Sequence, residues 1–300
     1  MMPRTFLLAR LQCGSQLGSA LAVGLVIALL MVNPAPLLPI ARAYRELCEQ
    51  YPPLALLTFH ASPVLLAFLL GLAGLITFVG VGAAVTGLVR THRFNQRLRR
   101  GAMPMPPQLV RIGTNLSIAD QLSYQAWAEP AACCYGFLRP RIAITAGLLT
   151  QLDDEELTAV IAHERQHLRC RDPLRFLVLH TLTAAAFMFP VVSALQRRHE
   201  ARIELAADRA SLTVAPRGAL AGALLAVLNG PRTSVPGAAG LTATESRIAQ
   251  LSGRAALPEI PVRLVIASLG LTAVIALAAV DLAASADLVE MICEFCVGTS

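Results

Sequence analysis

His163-Glu164-Arg165-Gln166-His167 packs two imidazoles and a carboxylate into five residues. On a helix, positions four apart share a face, so His163 and His167 can reach one metal ion together. Glu164 stands beside them, placed to act as a base toward water activated by that ion. Chance supplies such a pentamer roughly once in 200 chains with this share of His and Glu, so the motif is read for its mechanism. That mechanism is zinc hydrolase chemistry, with one Zn2+ per chain.

The sequence around the motif predicts a helix over about 154–171. Asp153 is an N-cap residue, and Glu156 three positions later completes a capping box. Leu152 and Leu157 take the two positions of a hydrophobic staple. Asp154 and Glu155 near the start, with Arg165, Arg169 and Arg171 toward the end, match the helix dipole. Pro173 closes the segment. The plainer alternative is a surface helix with two solvated histidines, and the residues that follow argue against it.

A catalytic zinc site takes three protein ligands and leaves one position for water. His180 and His199 are candidates for the third ligand, but Glu204 is the better one. It lies in a helix-like run from about Arg197 to Val214 that ends before Pro216. Glu204 and Asp208 are four apart and share a face. Glu204 can then bind the metal while Asp208 accepts the other ring N–H of a ligating histidine, His163 by preference. Otherwise the two acids simply pair with Arg202 or Arg209 on a wet face.

An HExxH followed by E-x-x-x-D resembles the gluzincin-type membrane metallopeptidases, which include the HtpX/Ste-type proteases and the BlaR/MecR-type antirepressor peptidases. The run Tyr135-Gly136-Phe137-Leu138-Arg139-Pro140-Arg141-Ile142-Ala143-Ile144-Thr145, then Gly147-Leu148-Leu149, is more similar to the BlaR/MecR side. So is His167-Leu168-Arg169-Cys170-Arg171-Asp172-Pro173-Leu174. The resemblance covers roughly 108–255. It implies that His163, His167 and Glu204 are the metal ligands, that Glu164 is the base, and that Asp208 supports a ligand from behind.

Composition fits a membrane setting. The chain is 55% hydrophobic and only 15% charged, too apolar for an ordinary soluble enzyme. All its Lys and Arg positions are Arg, and they cluster beside apolar runs. Membrane topology therefore explains the net charge of +6 better than nucleic acid does, and no direct nucleic-acid binding is expected. Leu17–Val32, Pro63–Val89 and Leu264–Val280 read as transmembrane helices, the last able to extend over 262–284. Pro63–Val89 alone is uncharged long enough to cover about 30 Å of hydrocarbon at about 1.5 Å per residue.

A fourth apolar stretch, Phe176–Leu195, separates His167 from Glu204. One crossing would put the third ligand on the wrong side of the membrane, and two crossings need about 40 residues. The stretch must leave and return on one side, as a buried helix or one dipping into the membrane and turning near Phe189-Pro190. Inside it, His180 reads as a hydrogen-bonded core residue.

Arginines precede the first span (Arg4, Arg10), follow the second (Arg90, Arg93, Arg97, Arg99, Arg100) and precede the last (Arg247, Arg254, Arg263). The positive-inside rule then places the N-terminus and the 90–262 domain in the cytoplasm and the C-terminus outside. Under that topology Cys133, Cys134 and Cys170 are expected to be reduced, and Cys293 and Cys296 form a C-x-x-C in the outer tail.

Within the domain, Gly101 to Pro107 reads as a stiff linker, with β-like runs at 110–112, Tyr124–Ala128 and Arg141–Thr145. The last of these, just before the motif helix, is the expected edge for an extended substrate. The stretch 229–242 reads as a loop, and Glu245–Leu251 as an amphipathic helix. The whole is expected to be a mainly α, multi-pass membrane protein with a cytoplasmic α+β zincin-like metallopeptidase domain. Residues 1–100 form the first membrane region, 101–261 the peptidase domain with its apolar segment 174–195, and 262–300 the last span and tail. Its partners would be the lipid bilayer and a polypeptide substrate, with a transcriptional repressor the leading case. The alternatives are a membrane quality-control protease and a non-catalytic sensor of the same fold. For oxyanion stabilisation, His199, Arg202 and Tyr135 are the candidates.

Overall fold

The computed structural model describes Gln50 and residues 63–229, 243–254 and 257–284. The expected span Leu17–Val32, the 33–62 segment apart from Gln50, residues 230–242, and Cys293 and Cys296 lie outside the described residues. The described chain is mostly helical with one small sheet. It divides into two compact units. One holds 63–79, Met188–Pro190 and 262–284, and the other holds Gly80–Phe187 and Val191–Pro261.

Helix α1 runs Pro63–Arg100 and is closed by Arg97, Arg99 and Arg100. Its apolar side chains point outward, with Phe68 and Phe78 well exposed. The last helix, α9, runs Val262–Ala284, and Ile266 and Leu269 are likewise exposed. Both are long and apolar enough to cross a membrane.

In the second unit, β1 (Ala102–Met103), β2 (Leu122–Gln125), β3 (Ala132–Tyr135) and β4 (Arg141–Thr145) form one sheet in the order β1-β2-β4-β3. β4 pairs parallel with β2 and antiparallel with β3. Both edges of β4 are therefore occupied, and it cannot be the docking edge expected of it; among the described residues the free edge on that side of the sheet belongs to β3. The short turn from β3 to β4 begins at Gly136, whose φ of 88° suits glycine.

Two local expectations need correction. The 110–112 run is not a strand but part of α2 (Pro107–Asn115), because Leu109, Ile112 and Gly113 recur at helical spacing and are buried. Pro107 at the helix start completes that signal. The expected linker 101–107 instead contributes β1, paired with Gln125 and Tyr124 of β2.

Helices α3 (Ala146–Gln151), α4 (Asp154–Cys170), α5 (Asp172–Ala185), α6 (Pro190–Ser211), α7 (Arg217–Asn229) and α8 (Thr244–Leu251) complete the unit. Leu157 and Ile161 of α4 enter a core with Leu109, Leu122, Ile142, Ile144 and Leu148. The 176–195 stretch turns at 186–189, and the expected 197–214 helix is the continuation of α6. Cys133 and Cys134 are free thiols, whereas Cys170, expected to be reduced, is disulfide-bonded.

Gly147 fixes how the sheet hands over to these helices. Its N–H donates to the Trp127 carbonyl at 2.9 Å. A Cβ at this position would lie 1.9 Å from the Ala128 carbonyl oxygen, a backbone atom that cannot swing aside. Gly147→Ala is therefore expected to cost about 1–3 kcal/mol of stability. Thermal unfolding of the detergent-purified protein should show the loss; an unchanged Tm would mean the 127–129 backbone gives way freely.

Candidate metal centre

The motif helix starts where its sequence says it should. Asp153 Oδ1 accepts from the Glu156 N–H at 2.8 Å, and Glu156 Oε2 accepts from the Asp153 N–H at 3.2 Å. Leu152 and Leu157 are both buried in the core. With its start anchored, α4 packs across β3 and β4 and against α7. Its core face carries Leu157 and Ile161, while His163 and His167 are buried on the side toward α6.

Helix α6 brings Glu204 and Asp208 to these histidines. The Ser211 hydroxyl donates to the Ala159 carbonyl at 2.8 Å, a buried bond that sets the register of α6 on α4. Glu204 then lies 3.3 Å from His163 Nε2 and 3.6 Å from His167 Nε2. The two Nε2 atoms are 3.1 Å apart. Among the described residues, His163, His167 and Glu204 form the one group whose donor atoms could hold a metal ion. Glu164 is half-buried beside them; its charge is felt by His167, by Arg247 and by Cys133 and Cys134 on β3.

Each imidazole is held from behind by a carboxylate, and each carboxylate by a guanidinium. His163 Nδ1 is 2.8 Å from Asp208 Oδ1, and Arg247 of α8 grips Asp208 through two bonds of 2.9 and 2.7 Å. His167 Nδ1 is 2.8 Å from Asp172 Oδ2, and Arg175 donates to Asp172 Oδ1 at 2.7 Å. With an acid 2.8 Å from each Nδ1, both Nε2 atoms turn inward, the arrangement a metal requires.

Sequence reasoning missed Asp172, Arg175 and Arg247. Asp172 is five residues after His167, a spacing that no continuing helix would place beneath it. The chain manages this because Arg171 takes the left-handed conformation (φ 52°, ψ 44°) between α4 and α5. A non-glycine residue there is uncommon, and such geometry gathers at functional sites. The signal available was Asp-Pro directly after the helix end. Arg247 lies in another helix, and only the fold brings it near.

The electrostatics call for a cation. Burial disfavours charge on His167, yet the charge of Glu204 and the bond to Asp172 outweigh it and push its pKa up to about 9. Burial of Glu204 is likewise outweighed by both histidines and Arg247, which bring its pKa down to about 2. Glu204, Asp208, Asp172 and Glu164 face two guanidinium groups, Arg247 and Arg175. With both imidazoles neutral, as metal ligands are, two negative charges remain for a divalent cation to neutralise; without the metal, protons on the imidazoles take that place. The donor set therefore fits a metal on charge as well as on direction.

The other candidates fall elsewhere. His180 bonds to Gln196 on α6 as expected, but it is exposed rather than part of a core, and it stands apart from the donor group. His199 lies near Arg175, Arg202 and Asp172; burial first, then the arginines, lower its pKa. Arg202 is exposed, and Tyr135 is buried in a small core with Leu98 and Ala143.

The structure thus holds a buried His-His-Glu donor set that could bind a metal, on a chain with two helices long and apolar enough to cross a membrane. Residues 65–251 match the family described as BlaR1 peptidase M56, and the chain belongs to that family. A protein named Protease HtpX homolog from Acidiphilium cryptum (strain JF-5) is 53% identical over 47 residues. That match spans 16% of this chain and 16% of the relative, so it speaks for a local segment only. No solved structure matches the chain.

The paired supports predict a shared phenotype. Asp172→Asn and Asp208→Asn each remove the charge that orients an imidazole, so metal affinity should fall about 10–100-fold in each. Titration against a competing chelator measures this. Wild-type affinity in both variants would reduce the aspartates to fold-stabilising residues.

Proposed function

We propose that the protein is a zinc-dependent membrane endopeptidase whose ligands are His163, His167 and Glu204 and whose base is Glu164. The observation that carries this reading is the spacing of the donors. The Nε2 atoms are 3.1 Å apart, and one Glu204 oxygen lies 3.3 Å from His163 and the other 3.6 Å from His167, all near the edge, about 3.3–3.4 Å, of a tetrahedron with zinc–ligand bonds of about 2.0–2.1 Å. Three protein ligands leave the fourth corner open, as catalytic rather than structural sites do.

When bound, zinc would supply Lewis acidity to the scissile carbonyl and lower the pKa of the attacking water. The chain's own residues do the rest. Asp208 and Asp172 keep His163 and His167 in the tautomer that presents Nε2 inward. Arg247 keeps Asp208 in place and, 3.6 Å from Glu204, tempers the charge there. Glu164 takes the proton of the water on its carboxylate and returns it to the leaving amine. The outer edge of β3 is unpaired among the described residues and lies beside Glu164, so an extended polypeptide can add there as a strand.

The substrate is read as a cytoplasmic or membrane protein whose cleavage is regulatory, a transcriptional repressor being the leading case, on the strength of membership in the BlaR1 family. The short match to the HtpX homolog favours membrane quality control as the second reading. The arginines at the end of α1 support a cytoplasmic domain with the C-terminus outside. Reporter fusions after Arg100 and after Leu195 should both read cytoplasm, and one at Ser300 the exterior. Opposite sides for the first two would refute this orientation.

Glu164→Gln keeps size and polarity but cannot take a proton. It should retain about one zinc per chain and lose hydrolysis by about 100-fold or more. Glu204→Ala and His167→Ala each remove a bond to the metal and should deplete zinc itself. Zinc analysis beside a proteolysis assay decides the matter. Hydrolysis that survives in Glu164→Gln, or wild type that cuts without zinc, contradicts the assignment; zinc retained by a wild type that cuts nothing favours the sensor.

A further inference from the structure

Helices α5 and α6 form a hairpin with no charged residue between Arg175 and Arg197. The uncharged arms are ten residues in α5 (176–185) and seven in α6 (190–196), about 15 and about 10 Å of helix. Phe187 is 51% and Leu195 46% exposed, large apolar surfaces left open among the described residues. An apolar face alone names no occupant, but the packing of α5 on α1 fixes its depth.

A Cβ on Gly80 would press on Ala185 at 3.2 Å, and one on Gly87 would meet Leu177 at 2.5 Å. Two glycines seven residues apart thus let α5 lie close against α1, antiparallel to it. Arg90 is the first charged residue of α1, and Gly80 stands ten residues on its apolar side. Ala185 is therefore held about 15 Å inside the level of Arg90, half of a hydrocarbon layer about 30 Å thick.

Eight residues after Pro190 in α6, Arg198 donates to the Pro258 carbonyl at 2.7 Å. Of the polar residues within the arms, Gln196 bonds the His180 ring at 2.8 Å and donates to Glu200 at 2.7 Å, whereas the buried Thr183 hydroxyl has no partner among the described residues.

We infer that the α5–α6 hairpin is a re-entrant membrane element reaching about halfway into the hydrocarbon, and that the metal centre therefore takes polypeptides whose scissile bond lies at the bilayer surface. The substrate half of this inference rests on the peptidase reading above. Leu177, against Gly87, is three residues inside Arg90, and Asp172, in contact with His167, is five residues back toward the charged end. The centre thus stands within about 5 Å of the level of Arg90, in a headgroup layer about 5–8 Å thick. An extended chain advances about 3.3 Å per residue, so the first few residues leaving a membrane span already reach it. Soluble segments reach the same centre only by approaching the bilayer.

Two measurements on the full-length protein in phosphatidylcholine–phosphatidylglycerol vesicles test this. In a Trp127→Phe background, Phe187→Trp should be quenched several-fold more strongly by bromine on the lipid acyl chains than Leu138→Trp. Leu138 lies in the β3–β4 turn beyond Tyr135, which packs on Leu98, eight residues outside Arg90. Equal, weak quenching at both positions overturns the re-entrant hairpin. For the substrate, a single-span protein with a long unstructured tail on the domain's side is offered beside the same tail as a free peptide. Glu164-dependent cuts should fall within about ten residues of the span and be at least about tenfold faster than cuts in the free peptide. Even cutting along the tail, or equal rates for the free peptide, overturns the surface preference while leaving the peptidase intact. No Glu164-dependent cut in either substrate or in casein overturns the peptidase reading and the substrate class with it, and the quenching still decides the hairpin.

Discussion

The fold depends on keeping four carboxylates, two imidazoles and two guanidinium groups together in a largely buried cluster. Taking such groups out of water is costly unless each finds a partner with good geometry. Here nearly every group has two. Asp208 meets His163 and Arg247, and Asp172 meets His167 and Arg175. Low surrounding polarity makes each of these contacts stronger and each missing partner more expensive. The cluster is therefore rigid, and what remains unsatisfied is directed: two Nε2 atoms and one carboxylate facing a common point. A metal ion completes this arrangement rather than creating it.

Much of the secondary structure serves that convergence. The capping box fixes where α4 begins, the Ser211–Ala159 bond fixes its register against α6, and the left-handed turn at Arg171 carries Asp172 beneath His167. Helix α8 supplies Arg247 and is itself bound to α6, with Gln250 donating to the Leu205 carbonyl at 3.2 Å. The next apolar helix begins ten residues after α8 ends, so the charge balance of the centre and the membrane region are close neighbours in sequence.

What could be read in the sequence was local. HExxH, its capping box and its staple are contiguous signals, and E-x-x-x-D repeats the same four-residue logic on a second helix. The turn in 176–195 followed from a topological constraint, since His167 and Glu204 must meet on one side. The clamp residues could not be read this way. Arg247 resembled a topogenic arginine beside a membrane span, and Asp172 fell outside helical spacing because a left-handed residue intervenes. The 110–112 run misled because three residues cannot distinguish a strand from one turn of helix; burial of Leu109 and Ile112 does. Strand β3, Ala-Cys-Cys-Tyr, shows no alternation and was invisible, yet it holds the open edge beside Glu164 that β4 was expected to hold.

The central claim is that two clamped imidazoles and Glu204 make the metal's protein coordination shell, with no thiol from the neighbouring Cys133 and Cys134. X-ray absorption at the zinc edge of the purified full-length protein tests it most directly. The account predicts nitrogen and oxygen neighbours alone at about 2.0–2.1 Å, including two imidazoles. A sulfur neighbour at about 2.3 Å, or a shell without two imidazoles, would contradict it.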